Sequence, residues 1–227
     1  MSRGVFITFE GSEGCGKSTQ VERLAKRLEH LGLAPLVTRE PGGTPIGETI
    51  RDLLKFAPES AGMMPETELL LFEASRSQLV REVIRPALAQ GEVVIADRFF
   101  DSTTVYQGVA RRLDPRVVEQ LNEFAVGDCK PDVTFVLHLD AATARTRMLQ
   151  RVQSSDKLDR MEREPLEFYE RVCEAYRELA AREPKRIVLI DGSQSADKID
   201  NEIWESISSR FPMLTDQSKI QNLKSKI

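Results

Sequence analysis

The chain has 227 residues, enough to bury one sizeable core as a single domain. Its 32 Lys and Arg against 36 Asp and Glu give a formal charge of −4, which lacks the basic surplus of a protein that wraps a nucleic-acid backbone. Hydrophobic residues at 41% and charged residues at 30% are globular values, and apolar runs such as 69–72 and 93–96 are too short to cross a bilayer.

The apolar start is too brief for a secretory segment and lacks its cleavage pattern, which points to a cytoplasmic protein. Cys15, Cys129 and Cys173 are scattered and odd in number, and His30 and His138 are the only histidines, so neither a disulfide framework nor a zinc site is indicated.

Residues 5–9 are the first short stretch rich in β-branched and aromatic side chains, and helical periodicity follows over 19–31. The alternation continues with strand-like 34–38, helical 66–90, strand-like 93–96 and helical 115–126. Strand-like 133–139, helical 143–151 and 166–182, and strand-like 187–190 complete it. Such alternation calls for parallel pairing with crossover helices: an α/β fold with a five-stranded parallel sheet flanked by helices in three layers. Sheets of this kind bind ligands beyond the carboxyl ends of their strands.

Three stretches break the rhythm. Residues 39–47, R-E-P-G-G-T-P-I-G, are too rich in proline and glycine for a regular element. Residues 150–164 are polar and charged, and are expected to form a short mobile lid. Residues 212–227 read as a flexible tail after a single domain spanning 1–211.

The first strand runs into G-S-E-G-C-G-K-S, which fills the phosphate-loop template G-x-x-x-x-G-K-[ST] between strand and helix. Gly11, Gly14 and Gly16 let backbone amides of Ser12, Glu13, Cys15 and their neighbours point inward at phosphate oxygens. Lys17 adds a positive charge for the outer phosphates, Ser18 offers a hydroxyl to the accompanying magnesium, and the helix from Thr19 adds its dipole. Asp97 closes the apolar run 93–96, where phosphate-loop proteins place the second acid of the metal site, although it also suits a helix N-cap. The template alone covers switches, motors and kinases. Neither an Asn-Lys-x-Asp guanine signal nor an Asp-x-x-Gly switch is present, which weakens a GTPase reading.

Five blocks in order resemble the thymidylate kinase family: F-E-G-S-E-G-C-G-K-S-T from Phe9, T-R-E-P-G-G-T from Thr38, L-F-E-A-S-R from Leu71, D-R-F-F-D-S-T-T-V-Y-Q-G from Asp97 and L-D-R-M-E-R-E from Leu158. The resemblance, over about 4–210, implies a P-loop nucleoside monophosphate kinase that transfers the γ-phosphoryl of ATP to dTMP, with Mg2+, in dTTP synthesis. It implies that Phe72 stacks on thymine and Arg76 reaches a base carbonyl; their spacing of four puts both on one helical face. Without the other blocks, Phe72 reads as core. Arg98 would hold the dTMP phosphate, joined by Arg51, which by itself reads equally well as a solvated helix charge.

Thr103 and Gln107 would bond the base, and Tyr106 would lie against the sugar where a ribose hydroxyl collides. Glu13 would accept from the deoxyribose 3′-hydroxyl. The loop carries no arginine, so the resemblance is to the branch with a catalytic arginine in the lid; Arg147, Arg151 and Arg160 are the candidates, and counting does not choose among them. The family is usually homodimeric, and the apolar faces of the 66–90 and 115–126 helices are available for that. A kinase of the same fold for another nucleoside or nucleotide and an ATP-driven switch are the competing readings.

Overall fold

The structure is a computed structural model that describes residues 3–155 and 158–215, with 151–155 as backbone only. Five strands, β1 (Phe6–Glu10), β2 (Leu36–Arg39), β3 (Val94–Asp97), β4 (Val133–His138) and β5 (Ile187–Asp191), form one parallel sheet in the order β2-β3-β1-β4-β5. The expected architecture is the one observed. Nearly every residue of β1, β3 and β4 is buried, as in a sheet covered on both faces.

Alternation along the strands divides the core. Ile7, Phe9, Ile95, Phe135 and Leu137 pack on one face with α1 (Lys17–His30), which supplies Val21, Leu24 and Leu28, and with Ile199, Ile203 and Ile207. Those three isoleucines belong to a helix absent from the sequence reading, Ala196–Arg210. Its apolar residues recur only every fourth position amid charges, a stripe too narrow to register, although Ser195 caps it by accepting from Lys198 N.

On the opposite face, Phe6, Val94 and Ala96 meet Leu79, Val80, Ile84 and Leu88. The expected single helix over 66–90 is three pieces: α3 (Pro65–Leu79), a π-helical turn (Val80–Ile84) and α4 (Arg85–Ala89). Pro86 accounts for the break, because its ring has no N–H and crowds the carbonyl four residues earlier, which the widened turn accommodates. Between α1 and α3 lies α2 (Pro45–Lys55), capped by Thr44, whose hydroxyl accepts from Gly47 N at 3.0 Å.

After β3 come α5 (Phe100–Thr103) and a second π-helical segment (Thr104–Ala110), then α6 (Pro115–Val126), α7 (Ala141–Ser155) and α8 (Leu166–Arg182). The Ala196–Arg210 helix is α9. Leu214, in the stretch expected as tail, is 3% exposed and packs into the α1 side of the core.

Phe135, fully buried on β4 beside the central β1, has its ring 5.4 Å from that of Phe9. Phe135→Ala should cost about 3–5 kcal/mol, read as a lowered midpoint in urea unfolding.

Candidate active site

Between β1 and α1 the chain turns through residues 11–16. Gly14 has φ 77°, and a Cβ there would stand 2.5 Å from the Ala144 carbonyl oxygen, so glycine is what lets the loop lie against α7. Lys17 Nζ donates to the carbonyls of Gly11 at 3.0 Å and Ser12 at 2.8 Å. Ser12, Cys15 and Lys17 are buried, whereas Gly16, Ser18 and Thr19 are exposed.

Ser18 Oγ donates to Asp97 Oδ2 at 2.5 Å. The two oxygens form a hard donor pair suited to magnesium. Among the described residues no group of three or more His, Cys, Asp or Glu could hold a metal, so beyond these two oxygens the shell would be filled by water or phosphate oxygens.

A cleft of about 1170 Å³ opens at the loop, lined by Lys17, Ser18, Thr19 and Asp97, by Arg51 from α2 and by Arg147 from α7. A second pocket, about 50 Å³, is lined by Phe72, Thr103, Tyr106 and Gln107. Glu13, Glu40, Lys55 and Arg98 line both, so the two spaces adjoin.

Arg98 stands at their junction. Its φ of 72° is left-handed, a costly conformation for a residue with a Cβ, and its N–H donates to Phe9 O at 2.9 Å. Its guanidinium donates to Glu13 Oε1 at 2.7 Å, Ser102 Oγ at 3.0 Å and Tyr106 OH at 3.3 Å, and Tyr106 OH donates to Glu13 Oε2 at 2.6 Å. Burial raises the cost of charge on Glu13, but Arg98, Lys17 and the Tyr106 hydroxyl outweigh it and hold its carboxyl below the usual value.

Arg76 is 1% exposed and does not line the pocket. It lies behind Thr103, donating to Thr103 Oγ1 at 2.9 Å, to Glu40 Oε2 at 2.9 and 2.6 Å, to Asn122 Oδ1 at 3.2 Å and to Glu73. Glu40 Oε1 and Glu73 Oε2 are buried without a hydrogen bond. Two carboxylates around one guanidinium leave a negative excess: burial, against Arg76 and together with Glu73 and Glu10, raises the Glu40 pKa to about 7.

The lid candidates separate. Arg147 Nη1 donates to Gly192 O at 2.9 Å and lines the cleft. Arg160 is directed elsewhere, to Leu54 O at 2.9 Å and to Glu68 at 2.6 Å, while the Arg151 side chain lies outside the described residues. Arg51 donates to Pro41 O at 2.9 Å.

Three carboxylates escaped the sequence reading: Glu10, Glu40 and Glu68. Glu10 and Glu40 sit inside quoted blocks, just before the phosphate loop and just before Pro41. Glu10 accepts from Phe99 N at 2.8 Å, Ser102 Oγ at 2.6 Å and Tyr176 OH at 2.7 Å, tying β1 to the start of α5.

A phosphotransferase of this kind requires a polyphosphate cradle and an acceptor pocket that open on one another, and a parallel sheet with a phosphate loop at its carboxyl edge supplies the first. Fold and site together define a P-loop nucleotide kinase. The Thymidylate kinase family matches residues 9–203. The chain is 47% identical to the thymidylate kinase of Geobacter sulfurreducens, over 92% of this chain and 99% of that one. It is 48% identical to that of Halothermothrix orenii, over 90% and 97%. The crystal structure of thymidylate kinase from Ehrlichia chaffeensis superposes with a TM-score of 0.72 at 32% identity, covering 91% of this chain and 99% of that chain. The chain belongs to the thymidylate kinase family.

The raised pKa of Glu40 has a sign for stability. Between the ordinary carboxylate value and about 7 the folded chain binds more protons than the unfolded chain, so this group's contribution falls as pH rises and levels off above 7. Urea-unfolding stability is expected to fall from about pH 5 to about pH 7. Burial raises the Glu10 pKa in the same direction, so the diagnostic is a smaller fall in Glu40→Gln than in the wild type.

Proposed function

We propose that the chain is a dTMP kinase, transferring the γ-phosphoryl of ATP to dTMP to give dTDP and ADP for DNA synthesis. The observation that carries this reading is the pair of adjoining spaces sharing Glu13, Glu40, Lys55 and Arg98: one opens on the phosphate loop, the other on Phe72, Thr103, Tyr106 and Gln107. A donor triphosphate in the first and a nucleoside monophosphate in the second would meet at Arg98.

Phosphoryl transfer asks a protein mainly to align donor and acceptor and to neutralise charge spreading over the equatorial oxygens. The loop amides and Lys17 grip the donor phosphates, as the Lys17 ammonium exchanges carbonyl partners for phosphate oxygens. Ser18 and Asp97 would hold Mg2+, which when bound supplies charge neutralisation across the donor phosphates. Arg98, fixed by Glu13 and Tyr106, presents the acceptor phosphate by its paired N–H groups, with Arg51 as the second cation. A general base is unnecessary, because the monophosphate already brings an ionised oxygen. Phe72 stacks on the base, Thr103 and Gln107 bond its edge, and Arg76 supports Thr103 from behind. Of the two lid candidates whose side chains are described, Arg147 is the better placed for the transferring group, since it lines the cleft and Arg160 does not.

The domain expected at 1–211 is proposed to extend at least to Leu214, which packs into its core, with a lid at about 150–164, to work in the cytoplasm and to form a homodimer. Helices α2, α3 and α6 pack side by side, and their outer surfaces carry exposed Ile46, Leu53, Leu70, Val117 and Phe124, the last 75% exposed. Apolar side chains on neighbouring helices fit a self-association face.

Coupled ADP release with ATP, Mg2+ and each nucleoside monophosphate in turn tests the reading. dTMP should be the preferred acceptor with weaker turnover of dUMP, because one methyl group in a fitted pocket is worth about 1–3 kcal/mol. Preference for any other monophosphate, or ADP release without an acceptor, would sink it. Lys17→Ala and Arg98→Ala should each lower turnover by about 10³ to 10⁵ with unchanged circular dichroism. Phe124→Asp should shift the wild-type dimer to monomer in light scattering.

A further inference from the structure

Glu68 is outside both spaces that would hold the nucleotides, yet it is 1% exposed on α3 and bound from three sides. Gln107 Nε2 donates to its Oε1 at 2.7 Å. Arg111, at the end of the π-helical segment that carries Gln107, donates to Oε1 and Oε2 at 3.1 Å each. Arg160 reaches Oε2 at 2.6 Å, and Arg111 also pairs with Glu164 at 2.6 Å. Two carboxylates thus meet two guanidinium groups, a balanced cluster with Glu68 buried at its centre and its partners half-buried. Burial opposes the charge on Glu68, but Arg111, Gln107 and Arg160 prevail and keep it ionised below the usual carboxylate range.

An ionised carboxylate accepts hydrogen bonds and donates none. The end of the Gln107 amide that rests on Glu68 is therefore its nitrogen; reversing the amide would set two oxygens against each other. Gln107 is also a wall of the small pocket, between Phe72, Thr103 and Tyr106. With one N–H of that nitrogen committed to Glu68, the other end of the amide is the carbonyl oxygen, the acceptor that Gln107 has to offer a bound base. A thymine or uracil ring carries N–H at position 3 and satisfies an acceptor, whereas cytosine carries a bare nitrogen there and would face it lone pair to lone pair.

We propose that Glu68 is a positioning residue that fixes the polarity of the Gln107 amide, and so sets the base pocket for a pyrimidine with N–H rather than a lone pair at ring position 3. The inference rests on the dTMP kinase reading and deepens it: Gln107 touches the base, and Glu68 acts only through Gln107. A site that commits a buried hydrogen-bonding group to one sense discriminates far better than one relying on apolar fit.

The test compares kcat/KM for dTMP and dCMP, with ATP and Mg2+, in the wild type, Glu68→Gln and Glu68→Asp. In Glu68→Gln the new amide tolerates either sense of Gln107. The dTMP-over-dCMP ratio should fall about tenfold or more, through a higher KM for dTMP, with KM for ATP unchanged. Glu68→Asp, still an acceptor only, should keep the wild-type order of preference. An unchanged ratio in a folded Glu68→Gln, or an equal loss in Glu68→Asp, overturns the proposal.

A wild type that does not turn over dTMP defeats the parent reading and this one together, whereas a wild type active on dTMP with an unchanged ratio in Glu68→Gln defeats this one alone. Should Glu68→Gln not fold, a crystal structure of the wild type with dTMP decides. Gln107 within hydrogen-bond distance of both Glu68 and ring position 3 supports the proposal, and Gln107 detached from Glu68 overturns it.

Discussion

Parallel pairing of β1 with β3 sets Phe9 opposite Asp97, and the cleft depends on that register. It brings the end of β3 beside the phosphate loop, so that Ser18 meets Asp97 and Arg98 meets Glu13. A slip of one residue would exchange the two faces of β3, turn Ile95 out of its core cluster and carry Asp97 away from Ser18. Both faces of the sheet are covered by helices, so the hydrophobic cost of a slip protects the polar geometry at its edge. Arg98 then leaves the strand through a left-handed backbone, and a fourfold set of oxygen partners, Glu13, Ser102, Tyr106 and Tyr176, holds its side chain in place.

Around this junction the protein places carboxylates beside arginines in two distinct proportions. Glu68 and Glu164 face Arg111 and Arg160 in balance, and Glu68 stays charged. Glu40 and Glu73 share Arg76 alone, and the surplus carboxylate is raised toward neutrality. The difference follows from counting charges in a medium that solvates none of them well. One cluster is a fixed scaffold across physiological pH, whereas the other sits near its titration point next to the acceptor pocket.

The strand–helix alternation, the phosphate loop and the acid at the end of β3 were legible because each follows from local pattern. Less legible were elements whose identity depends on distant partners. The α9 stripe of Ile199, Ile203 and Ile207 acquires meaning only against β1 and α1, and the division of residues 66–90 reflects Pro86 answered by a π-helical turn. Among site residues, Phe72, Thr103, Tyr106 and Gln107 line one pocket, and Arg76 stands one layer back, fully buried among its partners. Glu10, Glu40 and Glu68 gave little signal because an isolated glutamate in sequence resembles a solvated one; burial and partners, which distinguish them, are tertiary facts. Arg147 and Arg160 have equal charge in the sequence, and only the fold sends one to the cleft and the other to Glu68.

The close approach of Gly14 to α7 has a mechanical implication. With no side chain as a spacer, the tip of the phosphate loop rests directly on the helix backbone at Ala144, one turn ahead of Arg147. Loop and helix are therefore held at a fixed spacing by backbone contact, and Arg147, whose Cβ is among the atoms a Gly14 side chain would meet, is carried to the cleft by the same contact that seats the loop.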